Sequence, residues 1–256
     1  MLLAIDIGNS NVTVGFYQDT DWKYMWRFPT RTDLDAPMYY HVQLTNRLIE
    51  VGLPAEQVKR IIISSVVPDL TATFEELTEH LFNHAPLTLQ PDLYHRLKLQ
   101  IDRPDEIGTD LLANAAAAYY LYQKDCVVVD FGTALTFTTV TAEGHILGVS
   151  IAPGLKTAIR ALFQKTAQLP EVPLEFPESA IGKNTVHAIQ SGILIGYVGL
   201  VRHMLATIRA ELGDHYMAVA TGGLSSIMHP LQNDFDLINP NLTLDGLRLI
   251  CESLDV

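Results

Sequence analysis

Short apolar runs that stop at acidic turns recur along this chain. Leu2–Ile5 is such a run; it ends at Asp6-Ile7-Gly8-Asn9-Ser10, after which Val12–Tyr17 resumes with β-branched and aromatic residues. Run, turn and run predict a β-hairpin. Cys126–Val129 does the same, stops at Asp130-Phe131-Gly132 and is followed by Leu135–Val140. Ala4 to Ser10 lies residue for residue over Val128 to Ala134, 124 positions further on in a chain of 256. Each half then carries another buried strand, Arg60–Ser65 in the first and Met217–Thr221 in the second, the latter running into Gly222-Gly223. Helical spacing covers Tyr39–Val51, Leu70–Asn83 and Asn184–Leu212. Hairpin, helices and a further strand, given twice, predict two duplicated α/β lobes, with a cleft between them as the usual place for a ligand.

Asp110–Gln123 reads as an alanine-rich helix between the halves, with Thr109 as its N-cap. We place the first lobe at 1–108 and the second, with this helix and the C-terminal segment, at 109–256. Pro170–Pro177 holds three prolines and reads as an exposed connection.

Composition narrows the function. The chain is 48% hydrophobic, enough for a sizeable core. Its 29 acidic and 17 basic side chains give a formal charge of −12 without any Lys/Arg cluster, which argues against nucleic acid. An acidic chain still binds phosphate through turn amides and a cation. Cys126 and Cys251 form no disulfide framework, and the nine histidines show no metal-ligand spacing. The N-terminus lacks the basic start of a signal peptide, and the longest apolar stretch, Gly192–Val201, is too short for a bilayer. The expectation is a soluble, cytoplasmic protein with no membrane partner.

Four segments carry candidate chemistry. In the two Asp-x-Gly turns, glycine admits close ligand approach and the amides, with Asn9, Ser10 and Thr133, are able to donate to phosphate oxygens. Asp6 and Asp130 end their strands as candidate cation ligands, which phosphoryl transfer requires. The same residues also make ordinary hairpin turns; their equivalence within a repeat favours the phosphate reading. Asp110 is either an acid stabilised at a helix start or a base for a substrate hydroxyl, and position leaves both open. Thr221-Gly222-Gly223 is either a strand-to-helix turn or a shelf for a nucleoside. Asn184 or Thr185 caps the helix that follows.

The ordered set AIDIGNSN, PDEIGTDLLANAAAAY, VVDFGTALTF, IAPGL, TAQLP, IGKNT, AIQSG and ATGGL resembles type III pantothenate kinase over essentially the whole chain. The resemblance implies a pair of ribonuclease-H-like, actin-like ATPase lobes. It also implies ATP-dependent phosphorylation of pantothenate, the first step towards coenzyme A, with Mg²⁺ and a monovalent cation (K⁺ or NH₄⁺), by a homodimer. It gives Asp6, Gly8, Asn9 and Ser10 the first phosphate turn, with Asp6 a candidate Mg²⁺ ligand, and Gly132 and Thr133 the second. Asp130 is similar to the monovalent-cation ligand, Asp110 to the general base, and Thr221, Gly222 and Gly223 to the nucleoside shelf. Gly108 and Thr109 would line the acceptor pocket, and Thr185 would reach pantothenate near the dimer interface. Departures lie on the acceptor side: Leu111 replaces the Arg that usually follows the base, Ile101 replaces a Tyr, and Thr138 stands where Asp or Cys is frequent. Arg103 or another cation is the expected substitute for the missing guanidinium. Two alternatives follow: a kinase for another small hydroxylated acid, and an inactive nucleotide-binding regulator.

Overall fold

The computed structural model describes residues 1–225 and 227–254. In chain order it contains β1 (Leu2–Ile7), β2 (Asn11–Gln18), β3 (Asp21–Pro29), α1 (Ala36–Glu50), β4 (Arg60–Ser65), α2 (Pro68–Phe82) and the two-residue strands β5 (Leu87–Thr88) and β6 (Gln100–Ile101). Then follow α3 (Thr109–Tyr122), β7 (Cys126–Phe131), β8 (Ala134–Val140), β9 (His145–Pro153), α4 (Leu155–Lys165), α5 (Thr185–Gln190), α6 (Gly196–Leu212), β10 (Met217–Thr221), β11 (Leu237–Ile238) and α7 (Leu242–Ser253). These elements form two compact units, one of Met1–Tyr120 with the chain from Thr243 onward, the other of Leu121–Leu242. The division differs from the one placed after residue 108: α3 and α7 pack with the first sheet, not the second.

In the first unit the strand order is β3-β2-β1-β4-β5. β1 pairs antiparallel with β2 and parallel with β4, as does β4 with β5. One face, with Ile5, Ile7, Val14, Phe16, Ile61 and Ile63, meets Tyr40 and Leu44 of α1 and Leu70 and Phe74 of α2 in one apolar cluster. Because strand side chains alternate, the opposite face presents Ala4, Asp6, Ile62 and Ser64. α3 reaches this face through Thr109, whose hydroxyl meets Ser64. α7 is tied to it by Asp245, which accepts a bond from the Trp22 indole at 2.8 Å. The alanines of α3 now have a reason. Ala113 and Ala115–Ala118 are all fully buried, and Gly246 of α7 sits against the Ala113 carbonyl where any Cβ would collide. Small residues on both helices permit this backbone approach.

The second unit repeats the plan. Its order β11-β10-β7-β8-β9 matches β5-β4-β1-β2-β3 position by position, with the same antiparallel and parallel pairings. Asp6 lies opposite Thr13 and Ser64, and Asp130 opposite Thr136 and Thr221. The second hairpin turn is one residue shorter, so Thr136, not Phe137, is the structural counterpart of Thr13. Val127, Val129, Phe131, Phe137, Ala218 and Ala220 join Val198, Val201 and Leu205 of α6 in the core.

The helix expected over Asn184–Leu212 is observed with one irregularity, a π turn at Ser191–Ile195 between α5 and α6. Asn184 caps it, its side chain accepting the His187 amide at 2.9 Å. The run Thr185–Leu212 is 28 residues long, with a mean hydropathy of 1.4 over its most apolar window. By length and composition it is sufficient to cross a membrane, which corrects the shorter apolar stretch read from sequence; 33% of that window is buried within the protein. β3 was not anticipated, although Trp22, Tyr24, Trp26 and Phe28 alternate with Lys23, Met25 and Arg27 along it.

Candidate active site

In the first unit, β1 delivers Asp6 to the end of the sheet on the face that carries α3. The Ser64 hydroxyl of β4 lies 3.2 Å from Asp6 Oδ1 and 2.9 Å from Thr109 Oγ1, and Thr109 Oγ1 lies 3.3 Å from the Ser65 carbonyl. The turn that follows Asp6 is closed by the Gly8 amide donating to Asn11 O at 3.0 Å. Thr30 braces it from the end of β3, its hydroxyl donating to Gly8 O at 2.6 Å and its amide to Ser10 O at 3.1 Å. Asn9 and Ser10 stand exposed at the tip.

Helix α3 starts one residue differently from expectation. Leu112 donates to Gly108 O at 3.0 Å, so Gly108 holds the cap position and Thr109 is the first helical residue. The Thr109 side chain, freed from capping, turns inward to Ser64. Asp110 Oδ1 accepts the Leu111 amide at 2.8 Å, and a Cβ on Gly108 would come within 2.6 Å of the same oxygen. Glycine therefore leaves room for this carboxylate. Burial pushes the Asp110 carboxyl above the usual aspartate range, opposed by backbone amides at Leu111 and Asp110.

Tyr94 is buried nearby, and its hydroxyl has no hydrogen-bond partner. Burial first, and the Asp110 charge second, raise its pKa to about 12. A buried unpaired hydroxyl costs about 1–3 kcal/mol. Tyr94→Phe is accordingly expected to leave stability unchanged or raise it by about 1 kcal/mol, measured by urea unfolding. Arg103, the expected cation for the acceptor, instead pairs with Glu106 at 2.8 Å on an exposed surface.

In the second unit the same plan holds the other candidates. Gly132 donates to Ala134 O at 3.0 Å, and the Thr133 carbonyl accepts the Gly154 amide at 3.0 Å and the Thr157 hydroxyl at 2.7 Å. Thr157 thus braces this turn much as Thr30 braces the first. The glycine of the IAPGL segment is required because a Cβ on Gly154 would collide with the Gly132 and Thr133 carbonyls. Asp130 lies in a cross-strand row between Thr136 and Thr221. Both threonines are buried, and neither hydroxyl has a hydrogen-bond partner. Gly222 has φ +90 and rests against the Asp130 carboxylate, and Ser225 Oγ donates to Gly222 O at 2.8 Å; Gly223 is exposed next to it. Thr185, also exposed, opens α5 and lines an apolar cavity of about 250 Å³ with Leu162, Leu169 and Ile189.

Each unit therefore ends a strand in an acid, sets a braced glycine turn after it and places hydroxyls beside it. The model of the family described as type III pantothenate kinase matches residues 2–207. The chain belongs to the type III pantothenate kinase family. It is 40% identical over 249 residues to the type III pantothenate kinase of Dehalococcoides mccartyi strain CBDB1, covering 97% of this chain and 94% of the relative. To that of Thermomicrobium roseum it is 41% identical over 254 residues, covering 99% and 98%. A solved structure described as a putative Baf family transcriptional activator from Campylobacter jejuni superposes with a TM-score of 0.59 at 20% identity, covering 99% and 100% of the two chains. That likeness concerns the fold, a mixed α/β architecture with two sheets of the actin-like ATPase class. Beside these turns and acids the structure places Ser64, Thr30, Thr157 and Thr136, none of them among the site residues expected from sequence. Ser64 carried a signal, a lone hydroxyl pair ending an Ile-rich strand; the two turn-bracing threonines carried none.

Proposed function

We propose that the chain transfers the terminal phosphoryl group of ATP to the primary hydroxyl of pantothenate, the first step of coenzyme A biosynthesis. Family membership over residues 2–207, together with relatives of that name at 40% identity along nearly the full chain, carries this reading. Asp110 is the base that accepts the acceptor's hydroxyl proton, with Gly108 and Thr109 shaping the pocket beside it. The amides and side chains of Gly8, Asn9, Ser10, Gly132 and Thr133 hold phosphate oxygens, and Thr221, Gly222 and Gly223 support the nucleoside.

The donor sets suit the cations a kinase needs. Among the described residues no group of three or more His, Cys, Asp or Glu is placed to hold a metal ion; Mg²⁺ held by one carboxylate, water and nucleotide phosphates requires none. Asp6 is the carboxylate we assign to it, and the cation would neutralise charge on the transferring group. Asp130, with the buried, unpartnered hydroxyls of Thr136 and Thr221 on either side, supplies hard oxygen donors that suit a monovalent cation such as K⁺ or NH₄⁺. The resemblance supports a homodimer with Thr185 near its interface; Ile151, Phe163, Ile181 and Val186 are exposed apolar residues of the same unit. The site of action is the cytoplasm.

Leu111 and Ile101, with Arg103 held by Glu106, favour one second reading, in which the acceptor is another small hydroxylated acid. ADP release measured with pantothenate and a panel of such acids, with and without K⁺, tests both. Turnover on pantothenate that requires Asp110 is the expected result. Turnover on another acid only would transfer the function to that acceptor, and nucleotide binding without any turnover would make the chain a regulator.

A further inference from the structure

Ser64 is fully buried in a strand whose preceding residues are Ile61, Ile62 and Ile63. A hydroxyl in such a place is costly unless bonded, and this one has two partners of unusual kind. Asp6 Oδ1 at 3.2 Å belongs to the acid that ends β1, and Thr109 Oγ1 at 2.9 Å belongs to the residue before Asp110. We propose that Ser64 is a positioning residue for phosphoryl transfer, joining the acid of the first phosphate turn to the start of the helix that carries the base. The inference rests on the reading of Asp6 and Asp110 given above.

The hydroxyl count gives the joint its character. Ser64 has one proton to donate, and it faces two acceptors. In one arrangement Thr109 donates to Ser64 and Ser64 to Asp6. In the other Ser64 donates to Thr109 and Thr109 to the Ser65 carbonyl, 3.3 Å away. Both arrangements satisfy both hydroxyls, and both use the 2.9 Å contact. The Ser64 hydroxyl is therefore able to turn between Asp6 and Thr109, with Thr109 held in either case. The register adds a second argument. Ser64 lies opposite Asp6 as Thr221 lies opposite Asp130. In the second unit the hydroxyl has no hydrogen-bond partner, whereas in the first it bonds to α3. The two repeats have thus put one position to different uses, and the linkage to a helix belongs to the half that holds the base.

The test is steady-state kinetics on Ser64→Ala, Thr109→Val and the double variant, with the active fraction fixed by thermal unfolding. Loss of a buried bond to a charged partner predicts a fall in kcat of about tenfold or more for Ser64→Ala. KM values for ATP and pantothenate are expected to stay within about twofold, since the residue acts on alignment and not on ground-state binding. Because the two hydroxyls form one chain, the double variant should be no slower than the worse single variant. Ser64→Cys, which keeps the volume and a weak donor, should fall between Ser64→Ala and wild type. A Ser64→Ala enzyme with wild-type kcat, or losses that simply multiply in the double variant, overturns the proposal while leaving the kinase reading intact. If the wild-type chain shows no turnover on pantothenate or on any other hydroxylated acid, the kinase reading fails and takes the Ser64 proposal with it.

Discussion

Asp110→Asn is expected to lower kcat by about 10²–10⁴-fold, with ATP binding preserved, because the amide keeps the shape of the carboxylate but accepts no proton. The carboxyl is held above the usual aspartate range chiefly by burial. The wild-type rate should therefore fall as pH drops through that raised pKa, since the base must be ionised to act. Stability should run the other way. A carboxyl whose folded pKa exceeds its unfolded one supports the fold fully below the unfolded pKa, and that support is lost as pH rises through the folded pKa. Asparagine carries no such charge, so Asp110→Asn should melt higher than wild type at pH 7–8, and the gap should close on acidification below the ordinary aspartate range. Rate profiles and thermal unfolding at matched pH check both halves. A slow enzyme that is also less stable at neutral pH would show that Asp110 is a structural helix-start acid.

Gly222→Ala is expected to cost about 2–5 kcal/mol, combining a left-handed conformation with overpacking. The backbone there has φ +90, and an added Cβ would meet the Asp130 carboxylate, with Phe131 N at 2.7 Å and Phe131 C at 2.8 Å. Two of those three obstacles are backbone and have no rotamer to change. The displaced group would be Asp130, so the variant should also weaken nucleotide binding and reduce any activation by K⁺. Urea unfolding gives the stability loss, and nucleotide titration of the folded fraction gives the other. A variant as stable as wild type would mean that the chain after β10 relaxes at little cost.

Much of the fold was legible because its signals are local. Apolar runs ending at Asp-x-Gly announce β1 and β7 from a few residues, and their spacing announces a repeat, since both halves solve the same burial problem. β3 was legible too, in the alternation of aromatic residues from Trp22 to Phe28. The start of α3 was misplaced by one residue because Thr109 is a good cap in isolation; Ser64, 45 residues away in sequence, competes for its hydroxyl. Arg103, suggested from sequence as a cation for the acceptor, meets Glu106 three residues on in an exposed ion pair. Domain limits depended on which sheet face α3 and α7 cover, and the Ala113–Gly246 approach joins residues from opposite ends of the chain.

By itself, then, the sequence determined the duplicated α/β plan, the two glycine turns with their acids, and the residue set that resembles a kinase family. Those depend on side-chain period and turn chemistry, which a short window contains in full. Only the tertiary structure decided what stands beside each acid. Ser64 stands between Asp6 and Thr109, and Thr221 lies beside Asp130, because parallel strand pairing brings together residues dozens of positions apart, while Thr136 arrives through the antiparallel hairpin and Thr30 and Thr157 brace the turns from the segments that follow. Hydrogen bonds over such distances follow from register and helix placement, and no local pattern of residues records them.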